Sequence, residues 1–142
     1  MRTYSQLAPS YKESVLQLIR YWRSQGVQIN LGATEQELDA FENRFDLSLP
    51  VDFRFFYSVV NGMPGLDMDE YLFSLWPLQR IVTEEAVYKS VLDRNATEVT
   101  FGDFLIDSHR YLLVVDERGG SNVWVQWGEK RAIGFRISYR HT

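Results

Sequence analysis

The sequence contains no cysteine. Disulfide bridges, thiolate nucleophiles and cysteine-type zinc sites are therefore excluded, and such a chain suits a reducing compartment. No stretch approaches the roughly 20 apolar residues that a membrane-spanning helix needs, and the first residues run into polar sequence without a secretion signal. We therefore expect a cytoplasmic protein that contacts no membrane.

Histidine is also scarce, and acidic residues outnumber basic ones by 19 to 15. His109 and His141 are the only histidines and lie far apart, so a histidine base, a triad or a two-histidine metal site would need distant segments to meet. The formal net charge of -4 argues against nucleic acid as a partner, because phosphate binding needs clustered Lys and Arg. The locally basic C-terminus, with Arg131, Arg136 and Arg140, is more typical of a solubilising end. An acidic protein suits a basic protein partner.

The residues that are present describe a globular chain. Hydrophobic residues make up 45% of the 142 positions and aromatic residues 15%, which is enough to bury a core without metal or disulfide support. There is no internal repeat and no low-complexity tract. We expect a single domain over residues 1–142, and its oligomeric state stays open.

Two helices are predicted before residue 46. The first begins at the capping-box spacing of Ser10 and Glu13 and stops at Gly26, and the second begins at Thr34 with Glu37 as its capping partner. Each carries an apolar face at three- and four-residue spacing, formed by Val15, Leu18, Ile19, Trp22, Leu38, Phe41 and Phe45.

A third helix is predicted from Pro50, because proline suits the first helical position, and the pair Asn61-Gly62 supplies its left-handed stop. An acidic Pro/Gly loop over residues 63–70 and a strand over residues 71–76 follow. The cap residue Thr83, with two acids after it, predicts a short helix that includes Val87, Tyr88 and Val91 and ends by Asn95.

The C-terminal half is rich in β-branched and aromatic residues. Strands are predicted from Val99, through Phe104-Leu105-Ile106, at Tyr111 to Val115 and at Val123 to Trp127, with turns at residues 107–109 and 116–121. The Gly119-Gly120-Ser121 stretch fits a hairpin turn and not a phosphate-binding loop. The fold class is α+β, with N-terminal helices packed on a mostly antiparallel twisted sheet.

An ordered set of small motifs spans the helical half. It comprises Gly32-Ala33-Thr34, Glu37, Phe41-Glu42, Leu49-Pro50, Phe53, Phe56 and Asn61-Gly62, and continues through Leu75, Leu78 and Phe101-Gly102-Asp103. The set resembles the SUKH superfamily, the Smi-one/Knr-four type of domain. The motif residues themselves have structural duties in starting helices, ending them and filling a core.

The resemblance implies an α+β domain used for protein recognition, without catalytic residues or a cofactor. Bacterial members of the superfamily often serve as immunity proteins that neutralise toxins, and fungal members are linked to cell-wall signalling. The chain departs from the pattern at Ile133-Gly134-Phe135-Arg136, where the family commonly has a final helix. We expect the last element to be shortened, absent or a strand.

The partner-binding candidates are acids and tryptophans. Clustered acids speed the encounter with a basic protein, although an ordinary solvated loop is an alternative reading of the same charges. Tryptophan is enriched at interface hot spots, and strand alternation points Trp124 away from Trp127, so we expect one of the two to be exposed. The candidates are Asp67, Asp69, Glu70, Trp76, Glu84, Glu85 and Trp124.

We therefore expect a non-enzymatic protein-binding domain, namely an immunity protein against a toxin with a basic surface, for which a nuclease is one candidate. One alternative is a regulatory scaffold in a signalling assembly. A second is a small metal-assisted hydrolase in which Asp103, Asp107 and Asp116 hold a hard cation, although their spacing matches no known metal loop.

Overall fold

The computed structural model describes residues 4–90, 94–127 and 130–135. Helices α1 (Pro9–Ser24), α2 (Glu35–Phe45) and α3 (Val51–Val59) precede β1 (Phe73–Leu75), α4 (Leu78–Thr83) and β2 (Val87–Lys89). Strands β3 (Ala96–Phe104), β4 (His109–Asp116), β5 (Ser121–Trp127) and β6 (Lys130–Phe135) complete the order. In these ranges no helix is both long and apolar enough to cross a bilayer.

Helix α1 starts differently from the prediction. It begins at Pro9, whose ring fixes the backbone angle for the first helical position, and no side chain caps its N-terminus. Ser10 is therefore not a capping residue, and its carbonyl instead accepts a hydrogen bond from Ser14 Oγ at 2.9 Å. The predicted stop at Gly26 is confirmed, because Gly26 has a φ of +73° and the Val27 amide donates to the Trp22 carbonyl at 2.9 Å.

Helix α2 has the predicted capping box. The Glu37 amide donates to Thr34 Oγ1 at 3.1 Å, and the Thr34 amide donates to the Glu37 carboxylate at 3.0 Å. Glu42 lies on the buried side of this helix and accepts the Leu49 amide at 2.5 Å. The Phe-Glu motif thus holds the linker that leads to Pro50, which is the N-cap of α3 and not its first residue.

The third helix ends by a different device from the predicted left-handed stop. Val60 is already extended and forms a β-bridge with Leu31. The Asn61 side chain caps the next helix, since Asn61 Oδ1 accepts the Leu78 amide at 2.9 Å. Gly62 is needed for its φ of +71° and because a Cβ there would lie 2.3 Å from the Pro77 nitrogen.

A six-stranded antiparallel sheet follows the order β1-β3-β4-β5-β6, and β2 pairs with the same edge of β3 as β1. The α+β prediction is confirmed, and the last described element is a strand. A register shift between Thr100 and Gly102 of β3 separates the part paired with β1 from the part paired with β2. The core contains residues from all three N-terminal helices and from the sheet, among them Ile19, Trp22, Leu38, Phe41, Phe53, Tyr57, Leu75, Val99 and Leu113.

In the middle of the chain one predicted element is wrong and another is shorter than predicted. The helix expected from Thr83 onward lies earlier, at Leu78–Thr83, because Pro77 acts as its N-cap, and Val87 and Tyr88 belong to β2. Val91 lies outside the described residues. The strand expected over residues 71–76 is confined to Phe73–Leu75, since the Leu72 φ of 65° is incompatible with an extended chain.

Candidate functional site

The structure separates the seven predicted binding residues into three groups. Asp67, Glu70, Glu84 and Glu85 are exposed, and Trp124 is partly buried. Asp69 and Trp76 are buried, at 9% and 0% exposure, so they present little surface to a partner. The side chain of Trp127 lies outside the described part.

Asp69 organises the loop before β1 instead of facing solvent. Its carboxylate accepts the Trp22 indole Nε1–H at 3.1 Å and the backbone amides of Tyr71 and Phe73 at 2.9 and 3.0 Å. Three donors satisfy a carboxylate that would otherwise be costly to bury. Asp69 thereby ties the acidic loop to α1.

Trp76 forms the floor of a polar site. Its indole Nε1–H donates to Asp103 Oδ2 at 2.6 Å, and the Arg80 guanidinium stacks over its ring at 4.0 Å from the centroid. The Arg110 guanidinium lies 5.4 Å from the same ring and binds Asp107 through two hydrogen bonds of 2.6 and 2.9 Å. Hydrogen bonding by Asp107 raises the pKa of Arg110 above its ordinary value, although burial opposes this.

The exposed acids do not form one cluster. Glu84 accepts from Arg80 Nε at 3.4 Å and therefore belongs to the site above Trp76. Glu85 instead lines a cleft with Arg44, Phe45 and Tyr88 on the side of α2. Trp124 pairs with Leu112 of β4, two residues from Arg110, so the register places it on the same sheet face as Arg110.

The sequence reasoning missed an exposed apolar surface beside this site. Leu66, Tyr71 and Leu72 of the loop before β1 adjoin the β3–β4 turn, where the Leu105 amide donates to the Leu72 carbonyl at 2.9 Å. Among the residues that the structure describes, eight large hydrophobic side chains are exposed and five lie here, with Ile106 at 67% exposure. We call residues 64–72 and 105–108 the loop–turn surface.

The backbone of this surface is strained. Leu72, Leu105, Ile106 and Asp107 have φ values of 65°, 50°, 48° and 70°, and the described chain has only two other non-glycine residues with positive φ. Bulky and β-branched side chains are disfavoured there by about 1–2 kcal/mol each. Leu105 and Ile106 were predicted to continue a strand because their side chains favour strands. No glycine or asparagine in this turn could have signalled the left-handed backbone.

A cleft of about 210 Å³ opens between the loop–turn surface and the site above Trp76. Its walls combine the apolar side chains of the loop and turn with polar groups of β1, α4 and β3. We call it the Arg80 cleft, and it is lined by Leu66, Met68, Ser74, Arg80, Asp103, Ile106 and Asp107.

The three aspartates proposed as a cation site do not converge. Asp103 and Asp107 are neighbours, because the Asp107 amide contacts Asp103 Oδ1 at 3.4 Å. Asp116 accepts the Arg118 and Gly120 amides in the β4–β5 turn, and six residues of strand separate it from Arg110, or about 20 Å. Within the described ranges no three His, Asp or Glu residues are placed to hold a metal. The proposed cation site is therefore contradicted.

The remaining sequence candidates have local roles or lie beyond the described ranges. His109 packs against Phe104 with ring centroids 5.4 Å apart. The predicted turn at residues 116–121 is confirmed, with Gly119 at a φ of +83°. Arg136, Arg140 and His141 lie outside the part that the structure describes.

The fold is that of an α+β protein in which the N-terminal helices pack on one antiparallel sheet around a shared core. The model of the SMI1 / KNR4 family (SUKH-1) matches residues 32–134, well over half of the chain. The chain belongs to this family, and the sequence resemblance is confirmed. No curated protein matches the chain.

Proposed function

We propose that the protein is a non-enzymatic immunity protein that neutralises a toxin domain by binding it through the loop–turn surface. Membership of the SMI1 / KNR4 family (SUKH-1) is consistent with a protein-binding role of this type. The observation that carries the proposal is the exposed Leu105-Ile106 pair, which is held in a strained turn beside three other exposed apolar residues.

Strain and exposure together favour binding over a purely structural role for this turn. A two-residue turn built from Asn-Gly would adopt positive φ at little cost, and polar residues would suit its exposure better. Contiguous exposed apolar side chains rimmed by polar residues mark interaction sites. The protein therefore sacrifices stability at a place where a partner gains apolar contact.

The charges around the surface favour a basic partner. Asp67 and Glu70 are exposed in the loop, and Asp107 lies in the turn, within a chain whose net charge is -4. Acidic side chains around an apolar centre steer a basic protein and suppress wrong partners. A nuclease toxin fits this chemistry, because its groove is built to attract phosphate.

A co-expression assay with the toxin domain encoded beside this protein tests the proposal. Wild-type protein should restore growth, whereas Ile106→Asp should not, because it places a charge where the apolar contact forms. Leu31→Asp is the matched control, since Leu31 is 88% exposed and lies outside the loop–turn surface. Both variants must remain folded by circular dichroism. Rescue by Ile106→Asp that equals wild type would contradict the binding surface.

The same assay separates neutralisation from a regulatory scaffold. A complex that forms through the loop–turn surface while the toxin keeps its full activity would overturn the immunity role. An immunity protein should suppress toxicity in proportion to its affinity across variants of the surface.

A further inference from the structure

The Arg80 cleft contains two buried polar atoms that the fold does not satisfy. Ser74 is 2% exposed, and its Oγ has no hydrogen-bond partner in the described part of the chain. The same holds for Arg80 Nη1 within those ranges. Both residues line the cleft. Buried donors without partners are rare and costly, so each calls for an explanation.

The position of Ser74 follows from the sheet register. Ser74 of β1 lies opposite Asp103 of β3, which lies opposite Arg110 of β4. Side chains in one cross-strand row share a face of the sheet. Ser74 is thus presented to the cleft by regular strands, and Asp103 stands beside it as an acceptor.

Arg80 is held loosely enough to accept another partner. Its contacts with Glu84 and Asp103 are both 3.4 Å long, whereas charge-assisted hydrogen bonds between nitrogen and oxygen are usually about 2.7–2.9 Å. The stacked Trp76 ring fixes the plane of the guanidinium. The Arg80 guanidinium therefore offers a spare N–H group in a fixed orientation to an incoming acceptor.

The charge of the cleft selects a neutral occupant. Arg80 and Arg110 are set against three carboxylates, those of Glu84, Asp103 and Asp107. An anion would be repelled by this excess of carboxylates, and a Lys or Arg side chain has no acceptor to offer Arg80 Nη1, which lacks a partner in the described ranges. A primary amide offers an oxygen to Arg80 Nη1 and N–H groups to Ser74 Oγ and Asp103.

The dimensions agree with a side chain of that kind. The volume of about 210 Å³ greatly exceeds the roughly 10–15 Å³ that one water needs. Leu66 and Ile106 at the entrance are 66% and 67% exposed and can contact apolar groups on either side of the amide. We propose that the Arg80 cleft binds an Asn or Gln side-chain amide that the partner protein inserts between flanking apolar residues. This inference rests on the proposed function, because the toxin partner would supply the amide.

Blocked tripeptides test the cleft on the isolated protein. The probes are acetyl-Leu-Asn-Leu-N-methylamide, whose only primary amide is the Asn side chain, and its Asp and Arg analogues, followed by NMR at the Trp76 Nε1–H and Arg80 Nε–H signals. The Asn peptide should shift both signals in a saturable way and bind about tenfold more tightly than either charged analogue, as expected when a buried polar group must be matched. Absence of a saturable shift, or equal binding by the Asp or Arg peptide, would overturn the proposal.

Two variants connect the binding to the named atoms. Ser74→Ala should leave the unfolding midpoint unchanged and weaken the Asn peptide about 3–10-fold, because the hydroxyl has no partner to lose within the described fold. Arg80→Lys removes Nη1 and should also weaken binding of the Asn peptide. Arg118→Lys, in the β4–β5 turn, is its matched control and should bind like wild type. Equal affinity of wild type and Ser74→Ala would contradict the assignment. Because no toxin is present, a failed rescue assay alongside intact peptide binding would overturn the immunity role alone.

Discussion

Two arginines of this protein sit among carboxylates, and they are held in opposite ways. Arg54 of α3 is 2% exposed and contacts Glu35, Asp39 and Glu42 of α2 at 2.6, 3.0 and 2.6 Å. Arg80 of α4 is 18% exposed in its side chain, and its two carboxylate contacts are both 3.4 Å long. Arg54 is held by three short contacts, although its Nε has no partner in the described part of the chain, whereas Arg80 stands in an open cleft with two long contacts.

The difference indicates that similar charges stabilise the fold at Arg54 and stay open to the proposed partner at Arg80. The three acids of α2 follow at spacings of four and three residues, so one helix face delivers them all to Arg54. Burial by itself lowers the pKa of Arg54, but the contacts with Glu35, Glu42 and Asp39 raise it above its ordinary value. Arg80 gathers its partners from α4 and β3 with room left over. Tight contacts stabilise the fold, and loose ones remain available to a partner.

Replacing Arg54 by Ala should have the largest effect on stability. The variant leaves Glu42 buried without its cation and removes the contact between α2 and α3. We expect a loss of about 3 kcal/mol in the free energy of unfolding, or about 10 °C in Tm, measured by thermal and urea unfolding. A loss below about 1 kcal/mol would contradict the claim that the contacts of Arg54 stabilise the fold more than those of Arg80.

The pH dependence of stability tests the buried contact between Tyr57 and Trp76, the residue that forms the floor of the site. The Tyr57 hydroxyl donates to the Trp76 carbonyl at 2.6 Å, and burial raises the pKa of Tyr57 well above its ordinary value. The unfolded chain then loses a proton above about pH 10 while the folded chain keeps it, so stability should fall by about 1.4 kcal/mol per pH unit above that point. Tyr57→Phe should reduce this slope in urea titrations between pH 9 and about pH 11. An unchanged slope would contradict the raised pKa of Tyr57 as its cause.

Relieving the strained turn should stabilise the protein. In the double substitution Leu105→Asn with Ile106→Gly, the left-handed backbone is retained by residues that tolerate it. We expect a gain of about 1 kcal/mol in the free energy of unfolding and a loss of toxin binding. Leu31→Asn, an exposed position without positive φ, should change neither quantity. A destabilised double variant would argue that the turn is structural.

Arg80→Ala should have the smallest effect on stability and so complete the comparison with Arg54. Two long contacts with water access contribute little, and stacking on Trp76 adds only a modest amount. We expect a loss below about 1 kcal/mol by urea unfolding, together with clear weakening of the Asn peptide. A loss as large as that of Arg54→Ala would remove the distinction between the two arginines.

Local rules predicted the parts of the fold that local chemistry controls. The Thr34 capping box, the Gly26 stop and the strands at Tyr111 to Val115 and Val123 to Trp127 follow from residues within a few positions of each other. The fourth helix begins after its N-cap Pro77, and its first amide, that of Leu78, is satisfied by Asn61, seventeen residues away in sequence. Because this long-range contact leaves no mark in the neighbouring sequence, Thr83 was taken as a start where the helix ends.

The candidate site was predicted less well, for a physical reason. Charge suggested Asp67 and Glu70 correctly as exposed residues, but Trp76 and Asp69 became buried through hydrogen bonds to distant partners. The apolar residues Leu105 and Ile106 favour a strand in isolation, and only the tertiary connection between β3 and β4 forces them into a turn. The proposed binding surface thus depends on a local preference that the fold overrides.

The central claim is that the partner binds at the loop–turn surface and not elsewhere on the molecule. Calorimetric titration of the purified toxin domain with wild type, Ile106→Asp and Leu31→Asp tests it most directly. We predict that Ile106→Asp weakens binding by about 30-fold or more, as loss of an interface hot spot does, and that Leu31→Asp binds like wild type. Wild-type affinity for Ile106→Asp, or an equal loss in both variants, would contradict the account.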